Sequence, residues 1–358
     1  MPVSAGWPRT RLRTGGMVRR LHSRLGSFLY EMSVPTPSAA PSLSSSGFED
    51  GLGRRALAFD RETGDMLEQL VLRPELAAFE RVLQERMAAL GGLEDERFAR
   101  PRAVQRDDEE RLIVVSEYVP GRRLSEALDA AHDCGIVAGL DAALGLLLEI
   151  LPALGTLHGV AGFPHGSIAP ARVMFTPAGQ IVLLDAIYAA ALERLAFTRQ
   201  RLWAELGIAA LPPTGATRFD IAADLTQAGM TAAALIVGRP LAAHDFPDGL
   251  KALRSEILEV GEIRGSSAFA KGLEKFFDRV LPIQGRKAFP SADDAVLDLR
   301  QLVRREIGID ACRSALLDFL QQVEAADAER TATEDAIAIA RAEQVAAERE
   351  QARVEAGA

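Results

Sequence analysis

The order of hydrophobic patterns along this chain is the feature that most limits its fold. Short apolar runs with the length of β-strands come first, and the run Met66–Leu72 follows a polar turn that ends in Gly64, as hairpins prefer. Beyond Gly121 the apolar runs are longer and have helical spacing, as in Leu140–His158 and Ala222–Val237. A strand-rich part followed by a helical part predicts an α+β fold with two lobes.

The same patterns divide the chain into four segments. We expect a basic, Pro/Ser-rich tail at residues 1–46, a strand-rich lobe at 47–120, a helical lobe at 121–305, and an Ala/Glu/Arg-rich helical tail at 306–358. The first tail contains a short amphipathic basic stretch that could bind a partner or an anionic membrane, although a disordered leader is the favoured interpretation. Beyond Asp310 neither proline nor glycine occurs until the penultimate residue, which predicts exposed helices that could oligomerise.

Composition limits the class of partner and the cellular compartment. A formal net charge of −9 argues against a general nucleic-acid binder, which would carry a basic face. Cys134 and Cys312 lie far apart without metal-ligand spacing, so we interpret them as buried thiols in a reducing compartment. The sequence has no uninterrupted run of 18 apolar residues, and a soluble, cytoplasmic protein is therefore expected.

Three short motifs follow one another in the second and third quarters of the chain. They are SEYVPG at residues 116–121, HGSIAPARVMFTPAGQIVLLD at residues 165–185, and DLTQAG at residues 224–229. In this order they resemble the hinge, the catalytic loop with its metal-binding strand, and the buried helix of a protein-kinase domain of the bacterial Ser/Thr type. The resemblance covers about residues 47–305 and implies the two-lobed kinase fold. It also implies three framework positions, which are His165, Asp224 and Gly229.

Within this resemblance, the positions that would transfer phosphate carry other residues. The strand lysine that holds nucleotide phosphates falls on Leu70, and the first lysine of the whole chain is Lys251. The catalytic aspartate falls on Ser167, whose hydroxyl is a poor base at neutral pH. The lysine and the metal-binding asparagine of the same loop fall on Ala169 and Arg172. The resemblance therefore implies the shape of a kinase without its catalytic groups.

Two positions of the nucleotide site keep the residue type that the resemblance requires. Gly53 matches the third glycine of the phosphate loop, whereas the second falls on Asp50, whose charge would repel phosphate. Asp185 matches the metal-binding aspartate, and an ion pair with Arg172 is expected to replace the metal. The position that packs on adenine falls on Glu68, which would be costly to bury without a partner.

These changes lead to competing hypotheses about function. The first is a pseudokinase, an inactive kinase-like domain that serves as a regulatory or scaffolding module for protein partners and needs no cofactor. The alternative is a weak or atypical ATP-dependent Ser/Thr kinase, or another nucleotide-binding enzyme, that uses Mg²⁺-ATP in the same cleft. The third hypothesis is that the chain is not kinase-like and matches these motifs only by chance. This hypothesis predicts that His165 and Asp185 lie far apart.

Overall fold

The computed structural model describes residues 48–210, 217–281 and 287–357. The tail predicted at residues 1–46 lies outside the described residues. In the part that is described, a β-sheet precedes a largely helical region. The α+β fold with two lobes, predicted from the order of hydrophobic patterns, is thereby confirmed.

The N-terminal lobe is built on a five-stranded antiparallel sheet with the order β1-β2-β3-β5-β4. Its strands are β1 Glu49–Asp50, β2 Gly53–Phe59, β3 Met66–Leu72, β4 Pro101–Arg106 and β5 Leu112–Glu117. Between β3 and β4 the chain forms a 3-10 helix, Pro74–Phe79, and helix α1, Glu80–Leu90. Strand β5 lies between two neighbours, and the run from Leu112 to Val115 is buried throughout.

The C-terminal lobe is helical. Its helices are α2 Leu124–Asp133, α3 Gly139–Ala161, α4 Ala189–Arg194, α5 Arg199–Leu206, α6 Ile221–Val237, α7 Leu250–Arg264, α8 Ser267–Val280 and α9 Ala292–Glu306. Asp220, Ser266 and Ser291 accept backbone N–H groups at the starts of α6, α8 and α9, and such caps contribute about 1 kcal/mol each. Helix α6 is almost entirely buried and forms the centre of this lobe.

Helix α3 is the most apolar element of the structure. By length and mean hydropathy, 1.7, it could cross a membrane, but 72 % of its most apolar stretch is buried inside the structure. The first part of helix α10, Ile309–Gly357, packs closely along it, with Cys312, Leu316 and Phe319 buried. A Cβ at Gly145 would lie 2.3 Å from the carbonyl oxygen of Cys312, so only glycine allows this approach. Helix α3 is therefore a core helix in this fold.

A small second sheet places the loops that face the cleft between the lobes. Its order is β6-β7-β8, with β6 Arg122–Arg123, β7 Val173–Phe175 and β8 Ile181–Leu183. The N–H of Ala99 donates to the carbonyl oxygen of Leu183 at 3.0 Å, which joins this sheet to the chain just before β4. The residues after β8 are thereby held beneath the N-terminal sheet.

Candidate nucleotide cleft

The loop before β7 and the end of β8 meet in the cleft between the lobes. Ser167 Oγ donates a hydrogen bond to the carbonyl oxygen of Asp185 at 2.8 Å and lies 3.3 Å from His165 Nδ1. His165 and Asp185 are therefore neighbours, although 20 positions separate them in the sequence. This proximity contradicts the hypothesis that the sequence motifs are chance matches.

Buried polar side chains of α6 hold this loop in place. Asp224 is fully buried, and its two carboxylate oxygens accept the N–H groups of His165 and Gly166, each at 2.7 Å. Gln227, one turn further along α6, accepts the N–H of Ile168 at 2.9 Å. The loop backbone is thus satisfied by side chains instead of water, which fixes its conformation. Sequence reasoning singled out Asp224 but missed Gln227, which lies within the DLTQAG motif but is not one of the positions that the resemblance assigns a role.

Two glycines of the resemblance occupy positions where the backbone is approached closely. Gly53 has a φ of 154°, and a Cβ there would lie 2.1 Å from the carbonyl oxygen of Val71 on β3. A Cβ at Gly229 would lie 2.3 Å from Val280 Cγ1, where α6 crosses the end of α8. Packing therefore explains both glycines without a ligand.

Arg55 of β2 lies at the centre of the cleft, and no sequence pattern singled it out. Its side chain is 3 % exposed, and its Nη2 donates to Asp185 Oδ2 at 2.5 Å and to Asp50 Oδ2 at 3.0 Å. Its Nη1 donates to Glu68 Oε1 at 2.7 Å. The register pairs Arg55 with Leu70, so both side chains stand on one face of the sheet. A cation from β2 thus lies beside the position where the resemblance requires the strand lysine.

Arg172 is fully buried below Arg55 and has a different principal partner from the one expected. Its two Nη atoms donate to the carbonyl oxygen of Leu206, each at 3.1 Å. Its Nε lies 3.4 Å from Asp50 Oδ2 and 3.9 Å from Asp185 Oδ2. The expected Arg172–Asp185 pair is therefore only the longer contact, and Arg55 is the main partner of Asp185. The sequence could not show this, because β2 and β8 come together only in the fold.

Arg123, at the end of β6, completes the set of cations. Its Nη2 donates to Glu68 Oε2 at 2.5 Å, its Nη1 donates to the carbonyl oxygen of Ala171 at 2.8 Å, and its guanidinium lies 4.5 Å from the ring centroid of Phe48. Glu68 therefore has two arginine partners, Arg123 and Arg55. The cost expected for burying this carboxylate is offset by these ion pairs.

The three arginines and three carboxylates form one cluster, which we call the cleft cluster: Asp50, Arg55, Glu68, Arg123, Arg172 and Asp185. Burial acts to lower the pKa of Arg55, but Asp185, Asp50 and Glu68 together raise it well above its usual value. Burial likewise acts to raise the pKa of Asp50, yet Arg172 and Arg55 leave it below the usual value. With three arginines and three carboxylates, the cluster has a formal net charge of zero.

A charge-balanced cluster is a poor site for either part of Mg²⁺-ATP. A Mg²⁺ ion needs carboxylate oxygens that are not already neutralised, and a triphosphate needs an excess of positive charge. In the described part of the chain, no group of three or more His, Cys, Asp or Glu side chains is arranged to hold a metal ion. The charged side chains of the cluster form ion pairs with one another instead.

The turn between β1 and β2 lies against the C-terminal lobe. A Cβ at Gly51 would lie 1.9 Å from the carbonyl oxygen of Glu205 in α5, so the two backbones are in direct contact. Leu52 is fully buried, and its carbonyl oxygen accepts the N–H of Arg73 at 2.9 Å. In the resemblance this turn would cover nucleotide phosphates. Here it packs on α5 and closes the cleft from above.

His165 is a fully buried side chain in the core of the loop. Burial lowers its pKa to about 4, and the attraction of Asp224 and Asp185 opposes this only in part. Its Nε2 has no hydrogen-bond partner, and its ring lies 6.3 Å from that of Phe98. The neutral imidazole is therefore packed among apolar groups, out of reach of a substrate.

A separate groove lies beside the cluster, on the side of α2 and α5, with a volume of about 430 Å³. Its apolar lining includes Ile168, Trp203, Met230 and Leu241. Its acidic lining residues are Glu49, Asp50, Asp129 and Glu205. Glu205 is paired with Arg73 and Arg201, whereas Asp129 forms no ion pair with any described residue. Burial, together with Asp133 and Glu126, raises the pKa of Asp129.

Comparison with known proteins bears on the fold. No protein-family model matches the chain. The serine/threonine-protein kinase PknG of Mycolicibacterium smegmatis is 27 % identical over 197 residues, which are 55 % of this chain and 23 % of that protein. The chain thus spans less than a quarter of the length of this relative.

Solved kinase domains align with a larger part of the chain. The PknI kinase domain of Mycobacterium tuberculosis aligns with a TM-score of 0.51 and 20 % identity over 72 % of this chain and 94 % of that domain. The kinase domain of maize SIRK1 bound to AMP-PNP aligns with a TM-score of 0.55 and 16 % identity over 75 % and 98 %. These similarities show that the chain has a protein-kinase-like fold, as the sequence motifs indicated.

Proposed function

We propose that this protein is a catalytically inactive kinase-like domain that works as a regulatory or scaffolding module by binding a segment of a partner protein. The observation that carries this proposal is the cleft cluster. Its arginines neutralise its own carboxylates at the place where a kinase-like fold would hold nucleotide and metal.

The loop residues support the absence of phosphate transfer. Ser167 stands where the catalytic base would be, and its hydroxyl is already engaged with the carbonyl oxygen of Asp185. A serine hydroxyl cannot accept a proton effectively at neutral pH. Ala169 places a buried methyl group at the position of the loop lysine, so this position offers no cation to a transferring phosphoryl group.

The energy of the cluster argues against the alternative of a weak nucleotide-dependent enzyme. To admit Mg²⁺ at Asp185, the ion pair with Arg55 must open. Separating one partner from a buried pair costs about 3–5 kcal/mol. At about 1.4 kcal/mol for each factor of ten, that cost would weaken nucleotide binding by at least about 100-fold. An enzyme that used this cleft would have to open the ion pair in every catalytic cycle.

The groove beside the cluster supports binding of a protein segment. Its apolar lining suits aliphatic or aromatic side chains, and the unpaired carboxylate of Asp129 suits a cation placed next to them. The neighbouring carboxylates of Glu126 and Asp133 contribute negative charge near Asp129. We therefore propose an extended partner segment that carries both basic and apolar residues.

Two experiments test the proposal. The purified full chain, given radiolabelled Mg²⁺-ATP and a generic protein substrate beside an active Ser/Thr kinase as positive control, is expected to incorporate no phosphate. Turnover that disappears in Asp185→Asn would overturn the claim of inactivity.

Selection from a library of displayed peptides is expected to yield basic, apolar sequences. Asp129→Asn should weaken their binding by about tenfold, which corresponds to the loss of a charge-assisted hydrogen bond. The exposed Glu62→Gln, on the β2–β3 turn, is the matched control and should change nothing. Equal binding by Asp129→Asn and the native chain would refute the groove as the binding site.

We further propose a cytoplasmic location and oligomerisation through α10. The free thiols of Cys134 and Cys312 support the first proposal, because reducing compartments keep thiols unpaired. The second is supported by Ile337 and Ile339, which are 62 % and 60 % exposed. Analytical ultracentrifugation should detect an oligomer that is lost in an Ile337→Glu/Ile339→Glu variant, and a monomeric native chain would contradict this proposal.

A further inference from the structure

A basic pocket lies between α8 and α9, formed by residues that take no part in the cleft. Its volume is about 680 Å³, within the usual range for sites that hold small molecules. Lys271, Lys275 and Arg279 follow one another at intervals of four on α8, so they share one face of that helix. Arg305 of α9 and Lys287, just before that helix, line the same pocket.

The charge of this pocket is opposite to that of the chain. Five cationic side chains and two acidic ones, Asp298 and Glu306, line it, which leaves an excess of three positive charges. The whole chain has a formal net charge of −9. One of the two acids, Glu306, also accepts a hydrogen bond from the Ser266 hydroxyl at the start of α8. The pocket is therefore a local concentration of positive charge on an acidic protein.

The lysines of the pocket are not used for internal ion pairs. The chain contains four lysines, and three of them, Lys271, Lys275 and Lys287, line this pocket. None of the three forms an ion pair with a described residue, whereas arginines at the same helical spacing elsewhere are paired, as in Arg81–Glu85 and Arg330–Glu334. Adjacent like charges at this spacing destabilise a helix. No ion pair among the described residues compensates these lysines for that repulsion.

The chemistry of the cations indicates the kind of anion. Lysine presents a compact charge with three donors on a flexible stem, and the planar fork of arginine can bind two phosphate oxygens at once, so both residue types of this pocket suit phosphate. Arg279 is held in place by Phe289, whose ring centroid lies 3.6 Å from the guanidinium carbon. Several separated cations around one concave space match a ligand with more than one phosphate group.

We propose that the pocket between α8 and α9 is a binding site for a small anion that carries two or more phosphate groups. Such groups could belong to a free metabolite or to a polyphosphorylated lipid headgroup. The same lysines contact the phosphates in either case. Because the pocket is concave, a soluble ligand can be enclosed on several sides.

Calorimetric titration of the full chain with inorganic tripolyphosphate tests this site directly. The native chain should bind, and the affinity should fall as salt is raised, because the contacts are ionic. Lys271→Gln/Lys275→Gln should lower the affinity by at least tenfold. Lys251→Gln removes the one lysine that does not line the pocket and is the matched control, with native affinity expected.

Two results would overturn the proposal: no binding at millimolar tripolyphosphate, or equal affinity in the double variant and the native chain. Sedimentation with vesicles that contain a polyphosphorylated inositol lipid distinguishes the two sources. A lipid source predicts that native chain sediments with these vesicles and the double variant does not. A soluble source predicts that tripolyphosphate binds while neither protein sediments.

Discussion

Arg55 shows how one residue can determine the chemistry of a whole cleft. It pairs with Asp185, Asp50 and Glu68, three carboxylates contributed by separate parts of the chain. A guanidinium has five donors and keeps its charge even when buried, so it can satisfy several carboxylates at once. A single arginine on β2 thereby occupies the acid that a kinase-like site would keep for a metal ion.

Replacing Arg55 by methionine tests the energetic role of this residue. Arg55→Met keeps an unbranched apolar stem but removes the guanidinium and leaves buried carboxylates with fewer partners, and it should lower the free energy of unfolding by about 3–5 kcal/mol. Chemical denaturation at pH 7 measures this change. Arg54→Ala, at the exposed neighbouring position on the same strand, is the control and should stay within about 0.5 kcal/mol of the native value. A similar, small loss in both variants would show that the cluster does not stabilise the fold.

The buried imidazole of His165 should make the stability of the fold decrease in mild acid. Its pKa is about 4 in the folded chain, below the usual 6.5, and the groups that act on it are Asp224, Asp185, Arg172 and His158. A folded-state pKa below the unfolded one gives stability that is complete above pH 6.5 and is lost as the pH falls towards 4. Between pH 7 and pH 5 the loss should be about 2 kcal/mol.

Urea unfolding at pH 7 and pH 5 measures this slope. Replacing the residue, as in His165→Gln, should flatten it, because no imidazole remains to be protonated at this position. The matched control is His244→Gln, since the His244 side chain is 80 % exposed, and it should keep the native slope. The pKa of Asp50 is also lowered, but this group changes the stability of the fold only below about pH 4 and does not affect the slope between pH 7 and pH 5. An unchanged slope in His165→Gln would contradict the assignment.

Among the elements, the turn between β1 and β2 decides whether the cleft is open. Gly51→Ala would place a methyl group 1.9 Å from the carbonyl oxygen of Glu205, and backbone atoms cannot move aside as a side chain can. The turn should therefore separate from α5, at a cost of about 1–3 kcal/mol. Hydrogen exchange should become faster at the N–H of Arg73, which the turn protects in the native chain.

The control for this variant is Gly92→Ala, because a Cβ at Gly92 would meet no atom within 4 Å. Its exchange rates and stability should match those of the native chain. If Gly51→Ala behaves in the same way as Gly92→Ala, the turn does not press on α5.

The elements also show which features the sequence could reveal. The kinase-like order of the two lobes was predictable, because the hydrophobic period and short motifs, such as the one at residues 224–229, are local features of the sequence. The convergence of His165 and Asp185 was implied by the resemblance of residues 165–185 to the catalytic loop and metal-binding strand of a kinase. Arg55, by contrast, belongs to no motif, and its main partner Asp185 lies 130 positions away in the sequence. Pairs of this kind depend on strand register and lobe packing, which a single sequence does not display.

The expected partner of Arg172 illustrates the same limit. The resemblance favoured Asp185, because both residues fall on metal-binding positions, but the fold turns the guanidinium toward the carbonyl oxygen of Leu206. Burial of the Glu68 carboxylate was expected to be costly, because the sequence does not reveal its partners. In the structure these partners are Arg55 and Arg123. In both cases the residue type indicated that a partner of opposite charge or a hydrogen-bond acceptor was needed. Only the tertiary structure shows which residue fills that role.

In the molecule as a whole, the cleft cluster ties the two lobes together. Asp50, Arg55 and Glu68 belong to the N-terminal lobe, while Arg123, Arg172 and Asp185 belong to the C-terminal part. Opening the cleft for a nucleotide would separate charges across this boundary. The fold of a phosphate-transferring domain is thus kept, and its cleft is closed by its own side chains.

The most direct test of this account is the thermal unfolding of the full chain with millimolar Mg²⁺-ATP. The Lys271→Gln/Lys275→Gln variant is used, so that a triphosphate held between α8 and α9 does not contribute. A ligand that binds the folded state raises its stability by RT ln(1 + [L]/Kd). We expect no change in Tm. A Tm that rises with ATP concentration in this variant, and no longer rises when Asp185→Asn is added, would contradict the claim that the cleft is self-filled.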